Sequence, residues 1–211
     1  KVTRSGRYRA RMPSRGPAYR IVTPRLVLRC WDPRDAPLLK DAIDSSLDHL
    51  RPWMPWARHE PQTLAQKVEL LREFRGQFDL GADSIYGIFD AGEERALGGT
   101  GLHPRIGTGG LEIGYWIRAD AAGRGFATES TAALTRVAFE LVGVERVEIH
   151  CAPENHASAA IPRKLAYSLQ EPAGDDLVFT LTAAEFPASP AAGTTLAAFD
   201  AAGASLIDQL G

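Results

Sequence analysis

The stretch "LEIGYWIRADAAGRGFATES", residues 111–130, passes from a strand pattern to a helix pattern across a segment holding Gly123 and Gly125 beside Arg118 and Arg124. Glycines there remove side chains where a ligand could approach the main chain. The first turn of a helix leaves its N–H groups without partners, and with the positive end of the dipole these make an anion site. Arg118 and Arg124 add formal charge, so a phosphate or pyrophosphate is the expected guest. A P-loop would need a Lys after the glycines, and a dinucleotide fingerprint would need a third glycine where Thr128 stands; neither pattern fits. Taken alone, the segment could also be a tight turn that binds nothing.

The organisation around this stretch points to an α+β fold. Downstream, Phe126, Ala133, Leu134, Val137 and Leu141 repeat at helical spacing over 125–141, and "RVEIHCA" (146–152) reads as a buried strand. Strand 111–117, that helix and strand 146–152 therefore form a right-handed crossover with parallel strands. Upstream, "SIYGIFD" (84–90) and "ALGGTGLHP" (96–104) read as a hairpin running antiparallel into 111–117, which makes the sheet mixed. "RLVLRCW" (25–31) alternates like a strand, 32–50 reads as a capped helix start with a short helix, and 62–80 as one amphipathic helix. Between them "RPWMPWARHEP" (51–61) is too rich in proline for a helix; Trp53 and Trp56 there either fill the core edge or line a cleft. Residues 155–167 form a helix opened by Asn155, which Pro162 is expected to kink or interrupt, and 176–186 form a closing strand. Leu196, Phe199, Leu206 and Leu210 could line a terminal helix. The expected divisions are a basic flexible arm at 1–17, one catalytic domain at 18–187 and an Ala/Gly-rich tail at 188–211.

Composition narrows the partners. Across 211 residues, 24 Lys plus Arg face 26 Asp plus Glu, which gives no reason to propose nucleic acid. The arm carries Lys1, Arg4, Arg7, Arg9, Arg11 and Arg15 without an acid and lacks the apolar run of a secretory signal. No run approaches the ~20 apolar residues of a membrane span, so a soluble, cytoplasmic protein is expected. Cys30 and Cys151 read as buried free thiols in a reducing compartment, and the five histidines form no ligand-spaced cluster, so no metal is expected.

The blocks "EIGYWIRADAAGRGFATES" and "VEIHCAPENHASAAIPRKLAY", with "LRPWMPWA" (50–57), resemble the GNAT superfamily of acetyl-CoA-dependent N-acetyltransferases, in particular its ribosomal-protein-alanine N-acetyltransferase branch. The first block is similar to the family pattern [QR]-x-x-G-x-[GA] at Gly125 and Ala127, with Ala122 departing from Gln or Arg. The second is similar to N-x-x-S-x-x-x-x-x-K-L-G-F at Asn155, Ser158, Lys164 and Leu165, with Ala166 and Tyr167 in place of Gly and Phe. The resemblance spans roughly 20–185. It implies a mostly antiparallel sheet flanked by helices, with two central parallel strands splayed to admit acetyl-CoA. By the same implication Trp116, Ile117 and Arg118 serve the thioester and pantetheine through their backbone. Gly123, Arg124, Gly125, Phe126, Ala127 and Thr128 serve the pyrophosphate, and Asn155 and Ser158 meet the pantetheine. Trp53, Trp56 and Tyr115 are the candidate substrate contacts.

Chemistry orders the remaining candidates. A lysine-like amine, with a pKa of ~10.4, must lose its proton at a cost ~3.5 kcal/mol above that of an α-amine near ~7.7–8.0, so a protein N-terminus places the smaller demand on a base. Glu112 is the candidate base, with an ordinary exposed strand carboxylate as the competing reading. Ser158 is the first candidate, and Tyr167 the second, to protonate the leaving thiolate. A covalent route through Cys151 lacks a base on its own face of the strand, since His150 points the other way. Direct attack by the amine in a ternary complex is therefore expected. Aminoglycosides, polyamines or a non-catalytic acetyl-CoA-binding role remain alternatives, and a homodimer is a candidate assembly.

Overall fold

The computed structural model describes residues 17–171 and 174–208. The basic arm, apart from Pro17, and Leu210 lie outside the described residues. The chain runs through β1 (Arg20–Val22), β2 (Leu26–Cys30), α1 (Ala36–Asp44), α2 (Leu47–Leu50), α3 (Leu64–Asp79), β3 (Ser84–Asp90), β4 (Ala96–His103) and β5 (Gly110–Ile117). It continues through α4 (Phe126–Val137), β6 (Arg146–Cys151), α5 (His156–Lys164), β7 (Ser168–Leu169), β8 (Leu177–Thr182), β9 (Ala197–Phe199) and β10 (Ser205–Asp208). The strands form one sheet in the order β10-β9-β1-β2-β3-β4-β5-β6-β8-β7. Within it β5 and β6 pair parallel, and the other described pairs are antiparallel.

Period-2 burial explains how the sheet holds a helical layer on each face. In β6, Val147, Ile149 and Cys151 are buried while Arg146, Glu148 and His150 are half-buried. One face buries Ile113, Val147, Ile149 and Phe179 with Leu134 and Val137 of α4 and Ile161 of α5. The other buries Val27, Trp31 and Phe89 with Leu39 and Ile43 of α1 and Leu71 of α3. Helix α3 starts on a capping box, Thr63 accepting from the Gln66 amide while Gln66 accepts from the Thr63 amide.

One expectation is corrected. Leu196, Phe199 and Leu206 lie not on a helix but in and beside β9 and β10. The exposed edge of β1 supplies ladder partners to β9 (Arg20↔Phe199, Ile21↔Ala198, Val22↔Ala197), and that pairing overrides the helical preference of an alanine-rich segment. Pro162, as expected, breaks the ladder of α5, and it does so without ending the helix. The Ser158 carbonyl, which loses its i+4 donor at Pro162, takes the Tyr115 hydroxyl at 3.1 Å instead.

Candidate active site

The site is built on an interrupted strand pair. β5 and β6 are in register only at Gly110↔Arg146, Leu111↔Val147 and Glu112↔Glu148, yet the strands continue to Ile117 and Cys151. Beyond Glu112 they form a fork. The Arg118 amide donates to the Leu97 carbonyl on the β4 side at 2.9 Å. Backbone groups alternate sides along an antiparallel pair, so those of Ile113, Tyr115 and Ile117 turn toward the fork while those of Trp116 pair with β4.

Past the fork, Gly123 (φ +74°) and Gly125 (φ +81°) both adopt the left-handed conformation in which other residues are strained. Gly125 is the N-cap of α4 and no side chain caps the helix, so the first-turn amides of Phe126, Ala127 and Thr128 face outward uncapped. A Cβ on Gly123 would meet nothing within 4 Å. The cations divide differently from expectation. Arg118 turns away from this turn: 5% exposed, it binds Asp41 (2.9 Å) and Ser45 (3.2 Å) of the α1 region. Arg124 lies over the Phe126 ring, 4.9 Å from its centroid.

The cation that sequence reasoning missed is Arg25. It lies 4.8 Å from the Phe126 ring centroid, donates to the Arg124 carbonyl at 3.0 Å, and would stand 3.4 Å from a Cβ at Gly125. Glu129 holds it there through the Arg25 Nε at 2.6 Å, while also accepting from the Thr23 hydroxyl at 2.6 Å. The one signal in the chain is the acid of "ATES", whose partner stands 104 residues away.

On the α5 side of the fork, Asn155 caps the helix by accepting from the Ser158 amide at 3.0 Å. The Ser158 hydroxyl meets the Tyr115 hydroxyl at 3.1 Å. Tyr115 therefore lies on the opposite face of β5 from Trp116, apart from the tryptophans with which it was grouped. Burial pushes its phenol pKa up, against the pull of Ser158. Burial likewise raises Cys151, with Ser158 drawing it back. Tyr167 is 5% exposed and its hydroxyl is engaged by Thr135 of α4 at 2.6 Å. Burial pushes that pKa up too, and the hydroxyl contact ties the end of α5 to α4.

The other side of the fork carries Glu112, His150 and the tryptophans. Glu112 is 7% exposed, and both its oxygens accept from Arg105, at 2.7 and 2.5 Å. Burial raises its pKa, but the Arg105 bonds and charge outweigh this and hold it below the usual carboxylate range. It is thus a weaker proton acceptor than a free carboxylate. His150 Nε2 lies 2.9 Å from Glu148 Oε2, and His103 Nδ1 lies 2.8 Å from Asp83. Trp116 meets Trp56 edge to face at 5.7 Å and lies across Gly99, where a Cβ would come within 2.6 Å of its indole nitrogen. Trp53 and Trp56 are 38% and 36% exposed, so they form a wall rather than core. Their loop is tied to α3 by the buried Lys67–Glu60 ion pair and closed on itself by Arg51 donating to the Glu60 carbonyl at 3.2 Å. Among the described residues, no three His, Cys, Asp or Glu side chains converge as metal ligands would.

A family model described as an acetyltransferase (GNAT) domain matches residues 25–168. The chain belongs to the GNAT acetyltransferases. Acetyl-CoA is accordingly the acetyl donor of this N-acetyltransferase. The [ribosomal protein uS5]-alanine N-acetyltransferase of Escherichia coli (strain K12) is 27% identical over 169 residues, covering 77% of this chain and 84% of that protein. In fold the acetyltransferase is similar to Mycobacterium smegmatis RimJ in complex with CoA-disulfide, with TM-score 0.68, 23% identity, and 81% and 91% of the two chains covered. It is also similar to RimL, a ribosomal L7/L12 alpha-N-protein acetyltransferase in complex with coenzyme A, with TM-score 0.67, 20% identity, and 76% and 96% covered. The chain is thus similar to enzymes named for acetylating ribosomal proteins. No helix among the described residues is long and apolar enough to cross a membrane.

Proposed function

We propose that this acetyltransferase moves an acetyl group from acetyl-CoA to the α-amine of a protein N-terminus, a ribosomal protein in the first instance, by direct attack within a ternary complex. The observation that carries the reading is the fork after Glu112 and Glu148: its α5 side presents Ser158, and its other side presents His150, Glu112 and the tryptophan wall. Two reactants can meet there from opposite faces, and such placement is worth ~7–11 kcal/mol of barrier. The amides of Phe126 to Thr128, with Arg25 and Arg124 beside them, would hold the diphosphate, and the fork-facing backbone of Ile117 the pantetheine. Asn155 positions Ser158, whose hydroxyl would donate to the sulfur as the C–S bond breaks. Trp53 and Trp56 would pack against the first residues of the acceptor. A ribosomal substrate would place the reaction in the cytoplasm.

A panel assay of coenzyme A thiol release tests this reading. Peptides with free N-termini are the expected acceptors, and the same peptides blocked at the α-amine but carrying a free lysine should be poor ones. Preference for polyamines or aminoglycosides would replace the acceptor. No release with any amine, alongside calorimetric binding of acetyl-CoA, would leave a binding module.

A further inference from the structure

His150 occupies a position that none of the chemistry above uses. It lies on β6 two residues beyond Glu148, the last residue paired across to β5, so it stands where the fork begins. Its neighbour across the gap on that face is Gly114, which offers no side chain to fill the space. The imidazole is 29% exposed, and its two nitrogens have different surroundings. Nε2 lies 2.9 Å from Glu148 Oε2, while Nδ1 lies 4.0 Å from Glu112 Oε2, beyond hydrogen-bond reach, and has no other partner among the described residues. A carboxylate accepts, so Nε2 carries the proton toward Glu148 and Nδ1 keeps its lone pair toward the fork. Glu148 is itself held by Arg146 at 2.9 Å, and Glu112 by Arg105. Opposite on β8 stands the uncharged Val178, and His103, paired with Asp83, and Arg105 flank the neighbouring Gly114.

We propose that His150, rather than Glu112, accepts the proton of the attacking amine, with Glu148 fixing its tautomer and Glu112 stabilising the imidazolium that forms. The inference rests on the acetyl-transfer reading above. The neutral amine nitrogen attacks the thioester carbonyl carbon, its proton passes to His150 Nδ1, the C–S bond breaks, and the thiolate, held by a hydrogen bond from the Ser158 hydroxyl, leaves and takes a proton from solvent. His150 then returns its proton to bulk water through its exposed edge. The carboxylates take different parts because Arg105 has both oxygens of Glu112, whereas Glu148 has one oxygen on Arg146 and the other on the imidazole.

The test combines a tautomer measurement with pH–rate profiles. In ¹⁵N-histidine NMR of the intact protein, the neutral form of His150 should carry its hydrogen on Nε2; the Nδ1–H tautomer overturns the proposal without reference to turnover. In acetyl transfer to whichever amine the unmodified protein uses, His150→Gln should lower kcat at least tenfold and abolish the rise of kcat with pH around neutrality, with KM for acetyl-CoA unchanged. Glu148→Gln should move that rise to lower pH, because a lost carboxylate no longer favours the imidazolium. Should His150→Gln fail to fold, the Glu148→Gln shift and the tautomer decide. Retention of both rate and pH rise in His150→Gln, with their loss in Glu112→Gln, would return the role to Glu112 while leaving the acetyltransferase reading intact.

Discussion

The Tyr115 hydroxyl donates to the carbonyl of Ser158 at 3.1 Å, the carbonyl that Pro162, four residues on, has no N–H to serve. A proline inside α5 is thereby accommodated by a side chain reaching across the fork from β5. Tyr115→Phe would strand that half-buried carbonyl and release the Ser158 hydroxyl. The expected loss is about 1–3 kcal/mol of stability, read as a lower urea midpoint at unchanged m-value. An unchanged midpoint would mean that water serves the carbonyl equally well.

Helix α5 ends in a Schellman arrangement: the Tyr167 amide donates to the Pro162 carbonyl at 2.9 Å and the Ala166 amide to that of Arg163 at 3.2 Å. Its pivot, Ala166, sits at φ +63°, where glycine is at ease and alanine is not. Ala166→Gly should stabilise the protein. Relief of ~1–2 kcal/mol of left-handed strain exceeds the ~0.4–1 kcal/mol lost to a freer unfolded chain, for a net gain of roughly 0.5–1 kcal/mol. A raised melting temperature with unaltered acetyl-CoA affinity is the expected readout.

Lys67, wholly buried, has the carboxylate of Glu60 as its counter-charge, and Glu60 also accepts from the Gln62 amide at 2.9 Å. Lys67→Met should cost about 3–5 kcal/mol because it leaves an acid buried without its cation. Lys67→Met with Glu60→Leu should recover part of the loss. Because Glu60 closes the Trp53–Trp56 loop, the single variant should also raise KM for the acceptor more than KM for acetyl-CoA, in steady-state kinetics on whatever fraction stays folded.

The Arg105–Glu112 pair gives a pH signature. The folded-state pKa of Glu112 is depressed, so its contribution to stability is complete above the unfolded value of about 4.3 and is lost as pH falls through the lower folded value. Asp32, drawn down to about 2 by Arg34, and Glu93 behave alike, so the comparison must be between variants. Thermal unfolding from about pH 6 to pH 3 should fall less steeply for Glu112→Gln than for the unmodified protein. Parallel curves would show that Arg105 adds nothing to the folded state.

What the sequence discloses follows from the range of the interaction that decides each feature. Strand 84–90 and helix 64–79 carry their own periodicity, and the bounds read from the chain fall within a few residues of those observed. Gly123 and Gly125 are legible because glycine is the residue most at ease in a left-handed turn. Three-residue strands such as β1 and β9 are too short for alternation to register, and they exist because each is the other's partner across the chain. Arg25 joins the Gly123–Gly125 turn through Glu129, a contact no local pattern encodes. Tyr115 is the opposite case. Its odd parity relative to Trp116 separates it from the tryptophan wall, and that much can be read from neighbouring positions alone.

The pairing of β9 with β1 has a practical corollary. Leu196 and Ala198 are sealed beneath this junction, and the Thr194 carbonyl receives Arg136 of α4 at 2.7 Å, so the segment is stitched to sheet and helix together. A fragment trimmed to residues 18–187 would bare a strand border with apolar surface beside it, and two such fragments could zip together there, so an assembly seen with a shortened protein would report the trimming, not the native molecule.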